Sequence, residues 1–320
     1  MRAYVLAGFD TPPEIMEVPT PGIGPDDVLV RVLASSVNPH DAHVISGAAK
    51  AYMDYRFPIT LGNDVAGVIE EIGRGVTRFQ PGDKVFGVLR ETVAHRGTFA
   101  EYVAVPADVF LVGQPPNLSD IDAGALGLAT VAALACLETV AVSRGDAVLI
   151  NGATGGVGGS AIQISAAAGF RVVATARPGD EERHVRSLGA TDVVDWSAGD
   201  VAGRVRELCP HGIDGLIDLV NFDPSAFDAL AAAVLRQGGR AASTLNAAQP
   251  DRREGLIATN VVAMAKPTYL DRMAAMAASG ALCAPVKEVY DLEHIDDALA
   301  ALAAGALGKI AVRVAGRSPA

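Results

Sequence analysis

The chain has 320 residues, of which half are hydrophobic and one fifth are charged, a globular composition long enough for two domains. Its net charge of −11 argues against a general surface for nucleic acid or for an anionic membrane. The three cysteines, Cys136, Cys209 and Cys283, are widely separated, which indicates neither a disulfide framework nor a metal-binding pair and suits a reducing compartment.

The first third of the chain has the pattern of a small β domain. Short strand-forming segments, separated by glycine and proline turns, are predicted at Val28–Leu33, Asp64–Ile72, Lys84–Val88 and Phe99–Val105. Many short strands with such turns indicate a barrel-like domain. The pattern does not determine which strands pair.

A long apolar stretch, Ala123–Val142, follows this region. It consists mostly of Ala, Gly and Thr and contains Glu138, so a buried helix is favoured over a membrane span. The apolar run at the N-terminus is too short for a secretory signal. We therefore expect a soluble, cytoplasmic protein that binds neither membranes nor nucleic acids.

Strands and helices then alternate. Buried strands are predicted at Ala147–Ile150, Arg171–Thr175, Val193–Val194, Gly215–Val220 and Ala241–Thr244. Helices are predicted at Val157–Ala168, Glu181–Leu188, Ala202–Leu208 and Ser225–Leu235. This alternation indicates an α/β domain with a doubly wound parallel sheet. The C-terminal region mixes predicted helices and strands, at Tyr269–Ala278, Val286–Tyr290, Ile295–Ala304 and Ile310–Val314.

A glycine-rich turn lies between the first of these strands and its helix. Glycines there let the backbone approach a pyrophosphate, and the helix N-terminus supplies unpaired N–H groups. The spacing, Gly152-x-x-Gly155-x-x-Gly158, departs from a strict GxGxxG, and the Gly308-Lys309 pair lacks the spacing of a phosphate loop. The turn predicts a dinucleotide site, formed by Gly152, Thr154, Gly155, Gly156, Val157 and Gly158.

The end of the second strand indicates which nicotinamide cofactor is bound. Sites for NAD usually place Asp or Glu there, on the ribose 2′-OH. This chain has Thr175-Ala176-Arg177 instead, so a cation replaces the carboxylate and NADPH is favoured through its 2′-phosphate. The alternative is that Arg177 is a solvated loop residue and that Asp180, Glu181 and Glu182 oppose a phosphate.

Several motifs occur in a fixed order along the chain. They are Val37-Asn38-Pro39-x-Asp41, Leu61–Gly67, Phe79–Gly87, the Gly152–Gly158 turn, Ser187–Ala190 and Gly308-Lys309-Ile310. Together they resemble the medium-chain dehydrogenase/reductase superfamily, specifically its zinc-free quinone oxidoreductase (zeta-crystallin-like) branch. The resemblance implies a GroES-like, β-rich catalytic domain from residues 1–121 and 262–320, and a Rossmann dinucleotide-binding domain from residues 122–261.

The chain departs from the zinc-dependent members of that superfamily. Those members carry a catalytic Cys and a His-Glu pair in the first two motifs, where this chain has Asn38, Asn63 and Asp64. A catalytic zinc needs about three N, S or O ligands, and neutral amides are poor substitutes. The segment Gly87–Val105 also lacks the cysteines of a structural zinc lobe. We expect no bound metal.

The resemblance also implies contacts to the cofactor outside the glycine turn. In the quinone reductase branch a Lys and a Tyr often hold the 2′-phosphate, and here Glu181 and Trp196 take those positions, so Arg177 would have to compensate, with Arg183 as a second cation. Thr130 and Asn221 lie where relatives contact the nicotinamide half. The complete set of these predicted contacts is Thr130, Thr175, Arg177, Trp196, Asn221 and Lys309.

The expected chemistry follows from the missing metal. A quinone or an α,β-unsaturated carbonyl spreads the charge left by hydride addition and needs no Lewis acid. Asn38 is the candidate contact to the acceptor, His43 is a candidate proton donor, and Tyr52 could line the substrate mouth. Each has a structural alternative: a turn cap for Asn38, an exposed position for His43, and packing for Tyr52.

Three functions remain compatible with the sequence. The first is an NADPH-dependent, zinc-independent reductase of a small-molecule electron acceptor, a quinone or an enone. The second is an enoyl-thioester reductase of the same superfamily, and the third is a non-catalytic NADPH-binding protein. Because the superfamily is commonly dimeric, the resemblance also implies a homodimer.

Overall fold

The computed structural model describes residues 1–249 and 255–314, which form two compact units. Unit 1 contains the residues up to Ala129 and those from Ala265 onward, and unit 2 is Thr130–Met264. The divisions therefore fall after residues 129 and 264, where the expected boundaries were 121 and 261. Both the expected and the observed position of the first division lie within a single helix, Asp120–Val140.

The strands of the described residues are numbered in chain order. They are β1 Arg2–Leu6, β2 Glu14–Glu17, β3 Asp27–Ser36, β4 Asp54–Tyr55, β5 Ile59–Thr60, β6 Asp64–Ile72, β7 Lys84–Val88, β8 Val93–Ala94, β9 Tyr102–Pro106, β10 Leu111–Gly113, β11 Ala147–Asn151, β12 Arg171–Thr175, β13 Asp192–Val194, β14 Ile213–Asp218, β15 Leu235–Ser243, β16 Ile257–Asn260, β17 Val286–Asp291 and β18 Lys309–Arg313.

The helices follow the same numbering. They are α1 Pro39–Ser46, α2 Ala107–Phe110, α3 Asp120–Val140, α4 Gly156–Ala168, α5 Asp180–Ser187, α6 Val201–Leu208, α7 Pro224–Val234, α8 Pro267–Ala278 and α9 Ile295–Ala303.

Unit 1 is built around a seven-stranded sheet in the order β10-β7-β6-β3-β18-β17, with β9 also pairing with β3. Strand β3 lies at its centre, and its inward residues Val28, Val30 and Val32 are at most 1% exposed. Strand β18, from the C-terminal part of the chain, pairs antiparallel with β3. The unit therefore depends on both chain ends, because a strand from each end contributes to one core.

The strand predicted over Phe99–Val105 begins only at Tyr102. The reason is a change of partner along the segment. The backbone of Phe99 bonds to Tyr4 and Leu61, whereas β9 pairs with β3 from Tyr102 onward. A sequence pattern that alternates in the same way throughout carries no sign of this switch.

Unit 2 is a six-stranded parallel sheet in the order β13-β12-β11-β14-β15-β16. Numbered within the unit, this is the order 3-2-1-4-5-6 of the doubly wound dinucleotide-binding fold. The central strand β11 is buried on both faces, with Val148, Leu149 and Ile150 at 0% exposure, as expected where helices cover both sides. The predicted α/β fold class is confirmed, with the carboxyl ends of the parallel strands β11, β12 and β14 at one edge of the sheet.

Helix α3 is long and apolar enough to cross a membrane by length and composition alone. However, 83% of its most apolar window is buried inside the protein, which is the environment of a core helix. The predicted buried helix over Ala123–Val142 therefore corresponds to α3.

Candidate active site

The glycine-rich turn joins β11 to α4. Gly152 adopts φ +86°, a left-handed conformation that favours glycine, and its N–H donates to the Thr175 hydroxyl at 2.9 Å. A Cβ on Gly158 would lie 2.5 Å from the Gly152 carbonyl, so only glycine allows the helix to pack this closely on the turn. Gly155, the N-cap residue of α4, provides no side-chain cap and faces open space.

This geometry fits a dinucleotide. The first N–H groups of a helix lack partners within the helix, and here no side chain of the cap residue takes their place. Together with the positive end of the helix dipole they form a site for a pyrophosphate. The structure places all the predicted turn residues on this segment, including Thr154 and Val157.

The end of β12 holds a compact charged cluster. Arg177 Nε lies 2.8 Å from Glu181 Oε1, and the Arg177 backbone N–H donates to Glu181 Oε2 at 2.7 Å. The Trp196 indole donates to the same Glu181 carboxylate at 3.1 Å, and the Arg177 guanidinium lies 5.2 Å from the centre of the Trp196 ring. Burial alone would raise the pKa of Glu181, but hydrogen bonds from Arg177 and Trp196 hold that pKa below its usual range.

Arg177 is thus not an unopposed cation. The sequence analysis considered Arg177 as a cation that binds a 2′-phosphate and, alternatively, Glu181 as a carboxylate that opposes one. In the structure the two side chains form an ion pair. Their i,i+4 spacing is the sequence signal that could have predicted this pair.

The other two predicted cofactor contacts in unit 2 have internal partners. Thr130 is fully buried, with its hydroxyl 3.2 Å from that of Ser160 on α4. The Asn221 side chain donates to Asp218 Oδ2 at 2.5 Å, and Asp218 Oδ1 accepts from the Asn221 backbone at 3.1 Å. Asp218 in turn accepts from Asn151 at 3.2 Å, so the ends of β11 and β14 are bonded together. Thr130 and Asn221 remain predicted contacts.

In unit 1, a buried network surrounds Asn38, Asp64 and Lys309. The Lys309 ammonium donates to Asn38 Oδ1 at 2.8 Å and lies 3.4 Å from Asp64 Oδ2. Asn38 Nδ2 donates to the same Asp64 oxygen at 2.9 Å and to the Ser36 carbonyl at 3.2 Å. The three side chains are at most 5% exposed. Lys309, predicted to contact the cofactor, therefore has an internal anionic partner.

The remaining oxygen atoms of this network are also engaged. Asp64 Oδ1 accepts from the Leu128 backbone at 2.5 Å, and Asp64 Oδ2 accepts from the Ser36 hydroxyl. Asp41, at position N3 of α1, accepts from the Asn38 backbone at 2.8 Å, which is half of a capping box. Burial raises the pKa of Asp41 to about 7.

These residues do not fit a catalytic zinc. The amide oxygen of Asn38 accepts from an ammonium, and that of Asn63 is 2.9 Å from a ring nitrogen of His40. A metal cation would also be repelled by Lys309. Within residues 1–249 and 255–314, no group of three or more His, Cys, Asp or Glu side chains could hold a metal ion.

The two other predicted catalytic residues differ in their surroundings. His43 is exposed on α1. Tyr52 is 47% exposed, and its ring centre lies 6.3 Å from that of His40 and 5.7 Å from the Arg90 guanidinium carbon. The nearby Tyr55 donates its hydroxyl to the Val44 carbonyl at 3.1 Å.

His40 and Arg90 were missed by the sequence prediction. Arg90 is 5% exposed and follows β7 closely, and burial lowers the pKa of its guanidinium. The pKa of His40 is lowered to about 4, first by burial and then by the charge of Arg90. One signal was available: a cation directly after the apolar run of β7 is unusual, because a charge is rarely buried without a partner.

Comparisons with known proteins agree with this description. Residues 24–116 match the family "Alcohol dehydrogenase GroES-like domain", and residues 156–267 match "Zinc-binding dehydrogenase". The chain is 31% identical to the spinach (Spinacia oleracea) "Quinone-oxidoreductase homolog, chloroplastic" over 67% of each chain. It is 34% identical to the human "NAD(P)H oxidoreductase RTN4IP1, mitochondrial" over 61% of this chain and 52% of that one. The chain thus spans about half the length of the human relative.

Solved structures give the same result over nearly the whole chain. A structure described as "NAD-dependent alcohol dehydrogenase" superimposes with a TM-score of 0.86 at 28% identity, covering 98% of this chain and 100% of the other. The Pseudomonas syringae quinone oxidoreductase superimposes with a TM-score of 0.84 at 27% identity and the same coverage.

The GroES-like unit and the parallel sheet of unit 2 together give the architecture of a dehydrogenase family. The chain belongs to the medium-chain dehydrogenase/reductase superfamily, and its curated relatives include quinone oxidoreductases. The family resemblance predicted from the sequence motifs is confirmed.

Proposed function

We propose that the protein transfers hydride from NADPH to a quinone or an α,β-unsaturated carbonyl without a catalytic zinc. The observation that carries the proposal is the Lys309 ammonium, which binds Asn38 and Asp64 where zinc-dependent members have metal ligands. Without a Lewis acid, the acceptor must stabilise its own developing charge, as conjugated carbonyls do. Relatives named as quinone oxidoreductases support this acceptor class.

Unit 2 provides the groups that hold the cofactor. The α4 N-terminus and the backbone of the Gly152–Gly158 turn would hold the pyrophosphate, and Arg177 would bind a 2′-phosphate on the ribose. When bound, NADPH supplies the hydride. The Glu181 carboxylate on Arg177 weakens the predicted preference for NADPH over NADH, because a 2′-phosphate must compete with it for the guanidinium.

Unit 1 provides the polar groups for the acceptor. Asn38 was the predicted contact, but its amide already has partners for both its donors and its acceptor. We therefore assign Asn38 a positioning role within the network. Tyr52 carries an exposed aromatic ring beside Arg90 and becomes the proposed contact to the acceptor oxygen. His43 stays the proposed proton source, directly or through water.

The test is a screen of quinones, enones, enoyl thioesters and simple alcohols, following nicotinamide absorbance, combined with elemental analysis of the purified protein. We expect reduction of quinones or enones to exceed alcohol oxidation by orders of magnitude, without stoichiometric zinc. A preference for simple alcohols, or activity that chelators abolish in a protein with about one zinc per chain, would contradict the proposal. Cofactor binding without turnover of any acceptor would support the non-catalytic alternative.

We further propose that the protein is a cytoplasmic homodimer. Within the described residues no disulfide joins Cys136, Cys209 and Cys283, which suits a reducing compartment. Strand β16 lies at the edge of its sheet, and exposed Ile257, Val262 and Met264 form an apolar stretch on and just after that strand. Sedimentation analysis should give twice the chain mass, and a monomer at all concentrations would contradict the dimer.

A further inference from the structure

Arg90 is a buried cation without an anionic partner. Its side chain makes one hydrogen bond, from Nη1 to the Glu91 carbonyl at 3.2 Å. The Glu91 carboxylate pairs instead with Arg96, and within the described residues no carboxylate forms an ion pair with Arg90. Because a guanidinium has five N–H donors, most of its hydrogen-bonding capacity remains unused. Buried charges are normally paired, so this position indicates a ligand.

The proton on His40 is fixed by its neighbours. Asn63 Nδ2 donates to the Leu89 carbonyl at 2.8 Å, so Asn63 Oδ1 is the atom that faces His40 Nδ1, at 2.9 Å. That contact requires the proton on Nδ1. Nε2 is then a lone-pair acceptor, and it is buried without a partner among the described residues. Burial and the charge of Arg90 lower the pKa of His40 to about 4, so the ring is neutral at pH 7 and Arg90 supplies the positive charge of this cluster.

Tyr52 completes the cluster from the surface side. Its ring lies over the guanidinium at 5.7 Å, within the range of a cation–π contact, and is 47% exposed. Its hydroxyl makes no hydrogen bond to the described residues. An ionic donor, a neutral donor and a neutral acceptor thus lie together in unit 1, each with unused capacity.

We propose that Arg90, Tyr52 and His40 bind an acceptor that carries a carboxylate beside its reducible, carbonyl-conjugated double bond. The planar guanidinium matches a carboxylate through two parallel N–H···O bonds. Tyr52 donates to the conjugated carbonyl oxygen, and His40 Nε2 accepts from a hydroxyl or a water at the other side. A neutral quinone would leave Arg90 uncompensated, so the acid is the preferred class.

Binding of a carboxylate at Arg90 does not depend on the proposed function. Only the assignment of the bound molecule as the hydride acceptor rests on that function. In the reduction, one alkene carbon takes the hydride and the other takes a proton from water, giving the saturated acid and oxidised cofactor. Two measurements separate binding from turnover. Binding is measured by calorimetry with 3-benzoylpropionate and its methyl ester, because neither compound has an alkene to reduce. Turnover is measured by kinetics with 3-benzoylacrylate and its methyl ester, which both have one.

We expect the wild-type protein to bind the acid at least tenfold more tightly than the ester, a difference of about 1.4 kcal/mol. Arg90→Gln should abolish this preference and Arg90→Lys should retain part of it, since Lys keeps the charge and loses the planar fork. Arg56→Gln is the matched control, because Arg56 is an exposed cation in the same unit, and it should preserve the preference.

Equal binding of acid and ester by the wild-type protein would overturn the inference, and so would a preference that survives in Arg90→Gln. Because the wild-type comparison needs no variant, an unstable Arg90→Gln protein would not prevent a decision. Reduction of the ester without preference for the acid would reject the inference and leave the proposed function intact. Arg90-dependent binding of the acid without turnover of either enone would instead reject the proposed function, together with the assignment of the ligand as acceptor.

Discussion

Lys309 and Arg90 are both 5% exposed in unit 1, yet their surroundings are opposite. Lys309 has an aspartate, an amide oxygen and a carbonyl within 3.4 Å. Arg90 has one carbonyl and an aromatic ring. A cation with a complete set of internal partners holds the fold together, whereas one with an incomplete set is available to a ligand.

The comparison also changes how the predicted site residues are interpreted. Asn38 and Lys309 were predicted to contact substrate and cofactor, and the structure gives both of them a full set of internal contacts. The unused capacity lies instead with Arg90, Tyr52 and His40. A residue in a family motif is therefore not by itself a ligand contact, because the same motif also builds the framework behind the site.

The largest effect is expected when the closed network is broken. Lys309→Met leaves the buried Asp64 carboxylate without its cation, and we expect the free energy of unfolding to fall by about 3–5 kcal/mol. Urea denaturation measures this loss. Lys287→Met, at an exposed position on the neighbouring strand β17, should change stability by less than about 0.5 kcal/mol. A stable Lys309→Met protein would show that this network contributes little.

The second prediction concerns pH and Asp41, which lies beside Asp64 and Lys309. Its pKa of about 7 in the folded protein is above its ordinary value of 3.8, so the folded state holds the proton more tightly. The resulting contribution to the free energy of unfolding is at most roughly 4 kcal/mol. It is complete below about pH 4 and is lost as the pH rises to about 7.

Asp41→Asn should remove this component, so the variant gains stability relative to the wild-type protein between pH 5 and pH 8. The difference between the two proteins must be measured, because His40, with a pKa lowered to about 4, gives a slope of the opposite sign in both. A difference in unfolding free energy that stays constant over this pH range would contradict the titration of Asp41.

The fold could be predicted from local patterns. Strands β6 and β7 have the predicted bounds, since their apolar residues and flanking turns lie within a few positions of each other. The strand predicted at Ala241–Thr244 instead begins at Leu235, because β15 continues through Gly238 and Gly239. Glycine inside a strand often marks an irregularity, and the register with β14 shifts at this point: Leu235 lies opposite Ile213 and Arg240 lies opposite Gly215.

The site could be predicted only where it is local. The glycine turn is a continuous segment whose backbone conformation follows from its residue types. The bond between Asn38 and Lys309 joins residues 271 positions apart, and that between His40 and Asn63 spans 23 positions. No periodic pattern connects such pairs, so one sequence does not show whether a polar residue has an internal partner.

A smaller effect is expected when Asn38 is replaced. Asn38→Ala removes a hydrogen bond to Lys309 and one to Asp64, so we expect kcat/KM to fall roughly tenfold through a displaced network, while NADPH affinity stays nearly unchanged. His43→Phe should have less effect, since water can replace a proton donor. Full activity in Asn38→Ala would show that neither contact nor positioning by Asn38 matters to the reaction.

The smallest effect concerns Arg177, a third cation. Its surroundings are intermediate between those of Lys309, which has a complete set of partners, and those of Arg90, which has no anionic partner. Arg177 is paired like Lys309, but its guanidinium is 58% exposed, so solvent weakens the ion pair and a 2′-phosphate can compete with the Glu181 carboxylate for it. We expect a modest preference for NADPH in the wild-type protein. Glu181→Gln removes the competing charge and should tighten NADPH binding about three- to tenfold, with little change for NADH, which has no 2′-phosphate.

Glu182→Gln is the control, because Glu182 lies on the same helix and pairs with Arg186 instead. Fluorescence titration of both cofactors measures the ratio. If Glu181→Gln weakens NADH binding and leaves NADPH unchanged, Glu181 binds the ribose hydroxyl directly, and the predicted preference for NADPH is wrong.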